Sequence, residues 1–403
     1  MQKKALILTT VSGFLHQFEM ENVRILQTEG YEVHYASNFE NPVYTYEKDE
    51  YEMMGIITHH IPIAKSPTCL RQNIQALKML IRLLNKEQIQ LLHCHTPVGG
   101  VLGRLAGRRA DHEVKVIYTA HGFHFYEGAS RKNWMLYYRA EKYLARFTDV
   151  LVTINQEDYE NACKFSLKKG GKVYRIPGVG LDCQRFFPQP DRREEQRKKL
   201  NLPPDCFCLM TVASLDPEKN QETVLRAMDQ LKDPNIRYLI CGDGPERKHL
   251  ERLTEELELT SSVSFLGFQE KIEELLQAAD CFVFPSLREG LGMAALEALA
   301  CKVPVIAADN RGTREYMRDG ENGWVCQGTD ADQYAQAIRR MIQQPELRTQ
   351  MGACGVKTAA EFERSKTEAI MKQVYKNVQE ERGIYGLDTE DQYHHGSIQS
   401  KSI

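Results

Sequence analysis

One stretch, Cys281 to Asp309, constrains the fold of this chain more than any other: CFVFPSLREGLGMAALEALACKVPVIAAD. Cys281 to Phe284 is an apolar, strand-prone run that Pro285 ends, and a helix rich in alanine and leucine follows from about Met293 to Ala300. Val303 to Ala307 is a second apolar run. Two strands joined through a helix form a right-handed βαβ unit, so the stretch predicts a parallel sheet in an α/β protein.

The loop between this strand and this helix predicts an anion-binding site. It lies at the carboxyl end of the strand and the amino end of the helix, where unpaired N–H groups and the helix dipole favour a bound anion. Gly290 and Gly292 would let the backbone approach a ligand without a Cβ in the way.

Two carboxylates frame the predicted site, Glu289 and Glu297, with seven residues between them. A carboxylate repels a phosphate, but beside a phosphate site it accepts hydrogen bonds from sugar hydroxyls, as the acidic residue of dinucleotide folds does. Two glutamates could therefore bind two sugars on either side of a diphosphate. The alternative is that Glu289 is a loop charge and Glu297 a solvated helix position, and the spacing alone leaves both interpretations open.

The same residues resemble a known signature. Glu289-Gly290-Leu291-Gly292 and Glu297, after FPS and before VPVIAA, are similar to the E-x7-E signature of retaining GT-B glycosyltransferases of family 4. The resemblance implies that Glu297 binds the nucleotide ribose, that Glu289 lies near the donor sugar, and that the loop amides hold the diphosphate. It also implies the GT-B fold, in which two doubly wound, Rossmann-like α/β domains face each other across a cleft.

Length and composition agree with such an architecture. At 403 residues, 42% of them hydrophobic, the chain is long enough for two or three domains with sizeable cores. There is no run of 18 apolar residues, so we expect no membrane span. The start, MQKKALILTTVSGF, lacks the long apolar region of a signal peptide. The cysteines number 11 at irregular spacing, which is typical of reduced thiols in a cytosolic protein.

Metal and nucleic-acid partners are not expected. Cys206-x-Cys208 and His93-x-His95 come nearest to metal-ligand spacing, but both lie in apolar, strand-like runs without a partner pair at zinc-like distance. We therefore expect no metal site and no cofactor. No basic run is interleaved with aromatic residues in the manner of the common nucleic-acid-binding modules.

Charge divides the chain in two. Residues 1–180 have 23 Lys and Arg against 18 Asp and Glu, whereas residues 181–403 have 29 against 37. A basic first half and an acidic second half suggest two domains with different partners.

Strands and helices alternate through residues 1–180, which indicates a parallel, doubly wound domain. Its first strand, Ala5 to Thr10, leads into a loop in which Gly13 could approach a ligand. A later strand, Val116 to Thr119, ends at the edge of the sheet where open α/β folds bind ligands.

A polar cluster, AHGFH at residues 120–124, follows that later strand. The family resemblance implies that His121, the first histidine, lies close to the sugar–phosphate bond, and it leaves His124 undecided. The longer sequence from AHGFHFYEGA to NQEDY resembles a narrower branch of the family. Its members are bacterial transferases that build capsule, exopolysaccharide or glycan units on polyprenyl-diphosphate lipids.

The segment Lys132 to Phe147 mixes basic with aromatic and aliphatic residues. On a helix this pattern gives a basic surface with aromatic edges, suited to an anionic membrane surface. The alternative is a packed helix whose basic side chains reach the solvent, and the sequence leaves the two open. The residues assigned to a membrane surface are Lys132, Trp134, Arg139, Lys142 and Arg146.

The second predicted domain spans residues 181–365. Its first βα unit contains Lys219, just before a predicted helix from Gln221 to Leu231, where a point charge suits diphosphate binding. The family usually has an arginine five residues before this lysine, and this chain has Ser214 there. One cationic contact to the phosphates is therefore missing.

The rest of the second half continues the family pattern. Gly242 lies in a GDGP turn after a strand, and the resemblance implies that the backbone around Gly267 and Phe268 holds the nucleotide base. Residues 366–382 would form a helix that returns to the first domain. Residues 383–403 are polar without a periodic stripe, which predicts a disordered tail.

These observations together predict an enzyme in which residues 1–180 bind the acceptor and residues 181–365 bind the donor. It would move a hexose or N-acetylhexosamine from a UDP-sugar, with retention, to a polyprenyl-diphosphate-linked saccharide. We expect it at the cytoplasmic face of the plasma membrane as a peripheral protein. His121, Glu289 and Lys219 are the predicted catalytic residues, and Lys219 with the loop amides would stabilise the departing diphosphate.

Two other functions stay open from the sequence. A soluble transferase with a small acceptor would keep every donor-binding residue and would not need the Lys132 to Phe147 surface. A catalytically weak sugar-nucleotide-binding subunit of a synthase complex is the second, and Ser214 is its one indication.

Overall fold

The computed structural model describes residues 2–40 and 48–380. They form two α/β domains, each around a parallel sheet, which confirms the predicted fold class. The predicted tail, residues 383–403, lies outside the described residues, as do the last two residues of the predicted final helix.

The first domain is built on a sheet of seven parallel strands. The strands are β1 (Lys3–Val11), β2 (Tyr31–Asn38), β3 (Ile57–His60), β4 (Leu91–His95), β5 (Lys115–Ala120), β6 (Val150–Thr153) and β7 (Lys172–Arg175). Their order across the sheet is β3-β2-β1-β4-β5-β6-β7. The central strands are buried along their length because helices cover both faces.

The second domain repeats this design with six parallel strands. The strands are β8 (Phe207–Val212), β9 (Ile236–Cys241), β10 (Val263–Gly267), β11 (Cys281–Phe284), β12 (Val305–Ala308) and β13 (Gly323–Cys326). Their order is β10-β9-β8-β11-β12-β13, so the strand β11 that opens the E-x7-E stretch is central.

The helices pack on both faces of the sheets. In the first domain they are α1 (Met20–Thr28), α2 (Lys48–Met53), α3 (Leu70–Glu87), α4 (Pro97–Arg109), α5 (Arg131–Asn133), α6 (Arg139–Leu144) and α7 (Gln156–Ala162). After it come α8 (Arg193–Lys199), α9 (Gln221–Leu231), α10 (Arg247–Glu256), α11 (Ile272–Leu276), α12 (Met293–Ala300), α13 (Ala331–Gln343), α14 (Pro345–Ala359) and α15 (Arg364–Glu380). Across residues 2–40 and 48–380, none of the helices has the length and apolar character needed to cross a bilayer.

Short π-helical and 3₁₀ segments join or extend several of these helices. A π-helical turn, Leu15–Glu19, precedes α1, and a second, Trp134–Tyr138, joins α5 to α6. The segment predicted as one helix from Lys132 is therefore continuous but changes its winding. Pro217–Lys219 is a 3₁₀ turn directly before α9.

The chain crosses between the domains twice, at adjacent places. The Leu181 amide donates to the Phe362 carbonyl at 2.8 Å, and the Arg364 amide donates to the Leu181 carbonyl at 3.0 Å. After the second crossing, α15 packs on α1 of the first domain. The hydroxyl of Tyr375, on α15, lies 2.8 Å from Nδ1 of His93 in β4.

Candidate active site

The loop after β11 faces the first domain rather than open space. A Cβ on Gly290 would lie 2.2 Å from the carbonyl oxygen of His121, and one on Gly292 would lie 2.7 Å from the Phe284 ring. Gly292 also has φ +91° where it caps α12. The side chain of Leu291 is buried, so this residue can meet a ligand only through its backbone. At both positions a larger residue would clash with neighbouring protein atoms, which explains the glycines without a ligand. Their close approach to a ligand stays a prediction.

Glu289 and Lys219 form an ion pair across the predicted donor site. Lys219 Nζ lies 2.5 Å from Glu289 Oε1, and the two side chains are 24% and 12% exposed. Lys219 is held there by the 3₁₀ turn that ends at the start of α9. Glu289 is therefore not a free loop charge. A bound diphosphate would compete with this carboxylate for the ammonium.

Glu297 lies within α12, and its negative charge is the least compensated by neighbouring groups among the acidic residues of the site. Within the described residues, its carboxylate makes no hydrogen bond or ion pair. Burial raises the pKa of its carboxyl to about 7, although the charge of Arg185 opposes this rise. The side chain is thus not a solvated helix position. A partly buried carboxylate without a partner is suited to accept hydrogen bonds from ribose hydroxyls.

His121 follows β5 on the opposite side of the cleft. Its Nε2 lies 3.1 Å from Nδ1 of His95 and 3.4 Å from Oε1 of Glu19. Burial lowers the pKa of His121 to about 4, so the imidazole is neutral at pH 7. His95 and Glu19 were not found by sequence reasoning. The register of β4 with β5 could have indicated His95, because His95 ends β4 and His121 directly follows the neighbouring β5.

His124, which the sequence left undecided, lies near the same boundary. Its ring contacts the Tyr137 ring with centroids 4.9 Å apart. Burial, and then the charges of Arg288 and Arg311, lower its pKa to about 4. His124 therefore faces cations of the second domain as a neutral group.

Arg311 joins the two loops of the site, and sequence reasoning missed it. Its guanidinium donates to Asp158 Oδ1 at 2.8 Å, to the Phe123 carbonyl at 2.7 Å and to the Glu289 carbonyl at 3.2 Å. Arg311 and Asp158 are 3% and 0% exposed. No local pattern marks a pair so distant in the sequence, which is why the two residues were not recognised.

The remaining predicted donor residues lie at strand ends. The Gly242 amide donates to the Gly267 carbonyl at 2.7 Å, and a Cβ on Gly242 would lie 1.8 Å from the Ala213 carbonyl oxygen. Gly242 thus allows the ends of two strands to lie close together. Its amide already donates to Gly267 and is not free for a ligand. Phe268 is 69% exposed, so its ring is open to a nucleotide base. Gly13, in the first domain, has φ +81°.

Ser214 is exposed beside this site. Its carbonyl accepts a hydrogen bond from Gln221 Nε2 at 3.1 Å. The side chain position where the family has an arginine is therefore open to solvent.

Only some of the aromatic and aliphatic side chains in the segment proposed to meet a membrane are exposed. Its cations Lys132, Arg139, Lys142 and Arg146 are exposed, as expected. Trp134, assigned to the same surface, instead packs inward: its Nε1 donates to the Tyr126 carbonyl at 3.2 Å and its ring packs on Phe125. An indole can be satisfied in a core when an acceptor lies within reach. The exposed apolar side chains of the segment are Met135 (58%), Leu136 (55%) and Tyr143 (51%).

One buried ion pair anchors this segment to the first domain. Arg104, which is fully buried in α4, donates to Glu141 Oε2 at 2.7 Å. Arg104 also lies over the Tyr118 ring, 4.0 Å from its centroid.

Two family descriptions match the two domains separately. Residues 5–155 match "Glycosyl transferase 4-like" and residues 192–358 match "Glycosyl transferases group 1". The putative glycosyltransferase EpsD of Bacillus subtilis (strain 168) is 40% identical over 380 residues, covering 93% of this chain and 97% of EpsD. The chain belongs to family 4 of the GT-B glycosyltransferases. As a member of this family, it is a glycosyltransferase.

Other similar proteins agree with the family 4 assignment. The UDP-Gal:alpha-D-GlcNAc-diphosphoundecaprenol alpha-1,3-galactosyltransferase of Escherichia coli is 26% identical over 375 residues, 92% of this chain and 95% of that protein. The crystal structure of Anabaena HepE with UDP superimposes with a TM-score of 0.74 at 20% identity, over 94% of this chain and 100% of HepE. The likeness to HepE shows the GT-B fold of this family 4 transferase.

Proposed function

We propose that this transferase moves a hexose or N-acetylhexosamine from a UDP-sugar to a polyprenyl-diphosphate-linked saccharide, with retention at the anomeric carbon. One observation carries the proposal. The second domain contains both the ion pair of Lys219 with Glu289, at 2.5 Å, and Glu297 on α12, whose carboxylate has no partner. A cation for the diphosphate and a carboxylate for the ribose are what a nucleotide sugar requires. The E. coli relative, named for a UDP-galactose donor and a diphosphoundecaprenol acceptor, supports both substrate classes.

Lys219 supplies the charge that the reaction needs at the donor. As the bond from the anomeric carbon to the diphosphate breaks, negative charge grows on the phosphate oxygens. Lys219 and the N–H groups at the start of α12 stabilise that charge, and they do so before the reaction begins because the fold holds them in place. The proposed reaction therefore needs no bound metal.

His121 and Glu289 lie on either side of the sugar position in this proposal. The His121 carbonyl meets the Gly290 backbone, so the two loops close together around the sugar. The acceptor hydroxyl attacks the anomeric carbon on the face that the diphosphate leaves, and its proton passes to a departing phosphate oxygen. The imidazole of His121, which is neutral, would then orient the sugar by a hydrogen bond.

The acceptor lipid would bring the first domain to the membrane surface. Residues 1–180, with 23 Lys and Arg against 18 Asp and Glu, are attracted to anionic lipid, whereas the acidic second half is repelled. The exposed cations between Lys132 and Arg146, beside Met135, Leu136 and Tyr143, form the proposed contact. The protein would act at the cytoplasmic face of the plasma membrane.

Radiolabelled UDP-sugars, incubated with the purified protein with and without bacterial membrane extract, test this function. We expect label to enter the organic-extractable lipid fraction only when the extract is present. Glu297→Ala, a variant of the proposed donor site, should weaken UDP binding by about 10- to 150-fold, the scale of a charge-assisted hydrogen bond. Transfer to water-soluble acceptors alone would favour the small-acceptor function. UDP-sugar binding without any transfer would favour a binding subunit.

A further inference from the structure

Three polar groups from three elements of the first domain converge beside the cleft. Glu19 ends the π-helical turn before α1, His95 ends β4 and His121 follows β5. Nδ1 of His95, Nε2 of His121 and Oε1 of Glu19 lie 3.1, 3.2 and 3.4 Å from one another. Glu19 and His95 are 2% and 0% exposed, whereas His121 is 20% exposed. π-helical turns are frequent at functional sites.

The proton of each ring can be placed by its neighbours. Burial lowers the pKa of His95 to about 3 and that of His121 to about 4, so each neutral ring has one N–H donor and one acceptor nitrogen. The contact between the two rings, at 3.1 Å, is a hydrogen bond, and one of the two nitrogens must donate.

Two observations identify His95 as the donor. If His95 had its proton on Nε2, that N–H would be buried without an acceptor among the described residues. A buried, unsatisfied donor is unfavourable. In addition, Nδ1 of His95 lies nearer to the Glu19 carboxylate, at 3.2 Å, than Nε2 of His121 does, at 3.4 Å. A proton on Nδ1 of His95 is attracted by that carboxylate, whereas a lone pair there is repelled.

The charge state of Glu19 does not change this assignment. Asn22 Nδ2 donates to Glu19 Oε2 at 2.5 Å, which favours the carboxylate. Burial raises the pKa of Glu19, and a protonated Glu19 could donate to Nε2 of His121 instead. With Nδ1–H of His95 donating to His121, Nε2 of His121 accepts in both states and its proton remains on Nδ1. Within the part of the chain that the structure describes, Nδ1 of His121 has no hydrogen-bond partner.

We propose that Glu19 and His95 are positioning residues that hold His121 in the Nδ1–H tautomer, so that its free N–H donates to an oxygen of the donor sugar or its phosphate. This inference rests on the proposed function. It goes further by naming the atom of His121 that meets the substrate and the two side chains that fix it. The Phe14 ring, edge-on to His121 with centroids 5.1 Å apart, limits rotation of the imidazole.

A transition metal is the other occupant that these atoms could hold, since they lie within reach of one ion. Metal-bound histidine nearly always donates its second ring N–H to an acceptor. Nε2 of His95 has no such acceptor among the described residues, which favours the hydrogen-bonded cluster over a metal site.

The tautomer can be measured directly with ¹⁵N-histidine-labelled protein at pH 7.5, after metal removal with a chelator. Nitrogen shifts and two-bond couplings distinguish Nδ1–H from Nε2–H, and His121→Asn identifies the signals of His121. We expect Nδ1–H in the wild type and a mixture of tautomers in His95→Phe. This readout does not depend on donor or acceptor, so it separates failure of this inference from failure of the proposed function.

Kinetics provides the second readout. His95→Phe should lower kcat by about 100-fold, the scale of losing one transition-state hydrogen-bond donor. UDP affinity should stay within about twofold, because the ribose and diphosphate contacts remain. His95→Asn, whose amide can replace the Nδ1 donor, should restore most of the rate.

Four results would overturn the inference. They are an Nε2–H tautomer of His121 in the wild type, an unchanged kcat in His95→Phe, equal losses in His95→Phe and His95→Asn, and activity that disappears with the chelator and returns with Zn²⁺. The third would indicate a packing role, and the fourth a metal site.

Discussion

Glu297 shows how the fold can prepare a single residue for its ligand. Its carboxyl has a pKa of about 7 because it is withdrawn from water without a partner. Ribose hydroxyls that donate to the ionised form would lower that pKa, so nucleotide binding should release a proton. The affinity for UDP is then linked to pH through this one group.

The first prediction follows from that linkage. UDP affinity should rise by about tenfold between pH 6 and pH 8, because the ionised fraction of a group with pKa near 7 changes by that factor. Calorimetry at several pH values measures it. Glu297→Gln should bind more weakly at pH 8 and lose this pH dependence, and it also controls for ionisation of the UDP phosphate. An equal pH dependence in both proteins would remove Glu297 from the site.

Ser214 gives the second prediction. Its side chain is exposed, so a longer arginine side chain would have room there. Ser214→Arg should tighten UDP binding and leave transfer activity intact. If activity is lost while the circular dichroism spectrum and melting temperature are unchanged, this branch holds its diphosphate in another way.

At the scale of elements, the segment from α5 to α6 combines a buried anchor with an exposed basic face. Glu141 fixes it to Arg104 inside the first domain, while Arg139, Lys142 and Arg146 face outward. The segment is therefore a rigid part of the domain and not a loose arm.

The third prediction concerns the proposed membrane contact of this element. Changing Arg139, Lys142 and Arg146 to glutamine should release the protein from anionic liposomes, since each surface lysine or arginine contributes about 1 kcal/mol. Raised salt should weaken the binding of the wild type and so reduce its difference from the variant, whereas UDP binding should not change. Flotation measures binding. A control with Arg226, Lys248 and Arg252 of the second domain changed to glutamine has the same net charge and should float as the wild type does. Equal flotation of all three proteins would favour the small-acceptor function.

The sequence was most informative where a functional element is formed by residues that are adjacent in the chain. The strand, loop and helix from Cys281 to Ala300 were predicted to the residue, because turn residues and apolar runs mark them. The packing of Trp134 on Phe125 was not predicted, because an amphipathic pattern does not show which side of a helix meets the core. Glu19 and Arg311 were missed because their partners are brought together only by the sheet and by the contact between domains.

At the scale of the whole molecule, the two domains touch across the predicted site. Besides the Arg311–Asp158 pair, Asn155 Nδ2 donates to the Gly290 carbonyl at 2.9 Å. The cavity beside Arg288 and Arg311 has a volume of about 60 Å³. Small-molecule sites usually have about 300–1,000 Å³, so this cavity between the domains is too small for a nucleotide sugar in the closed form.

The fourth prediction is that the Arg311–Asp158 pair sets the balance between closed and open forms. Asp158→Asn leaves a buried guanidinium without its counter-ion, a change that typically costs about 3–5 kcal/mol. Domain opening relieves that cost by hydrating Arg311. Small-angle X-ray scattering should show a larger radius of gyration and kcat should fall. Glu127→Gln is the matched control: it breaks the exposed ion pair of Arg314, 2.8 Å long, and should change neither quantity. An unchanged radius in Asp158→Asn would show that the pair does not control opening.

The central claim of this account is that Lys219 leaves Glu289 and binds the donor diphosphate. Calorimetry of Lys219→Ala with UDP and with UMP tests it most directly, because the two ligands differ only by the second phosphate. We predict that UDP affinity falls by about 10- to 100-fold, the scale of a charged hydrogen bond, while UMP affinity changes much less. Equal losses for UDP and UMP would contradict the placement of the lysine at the diphosphate.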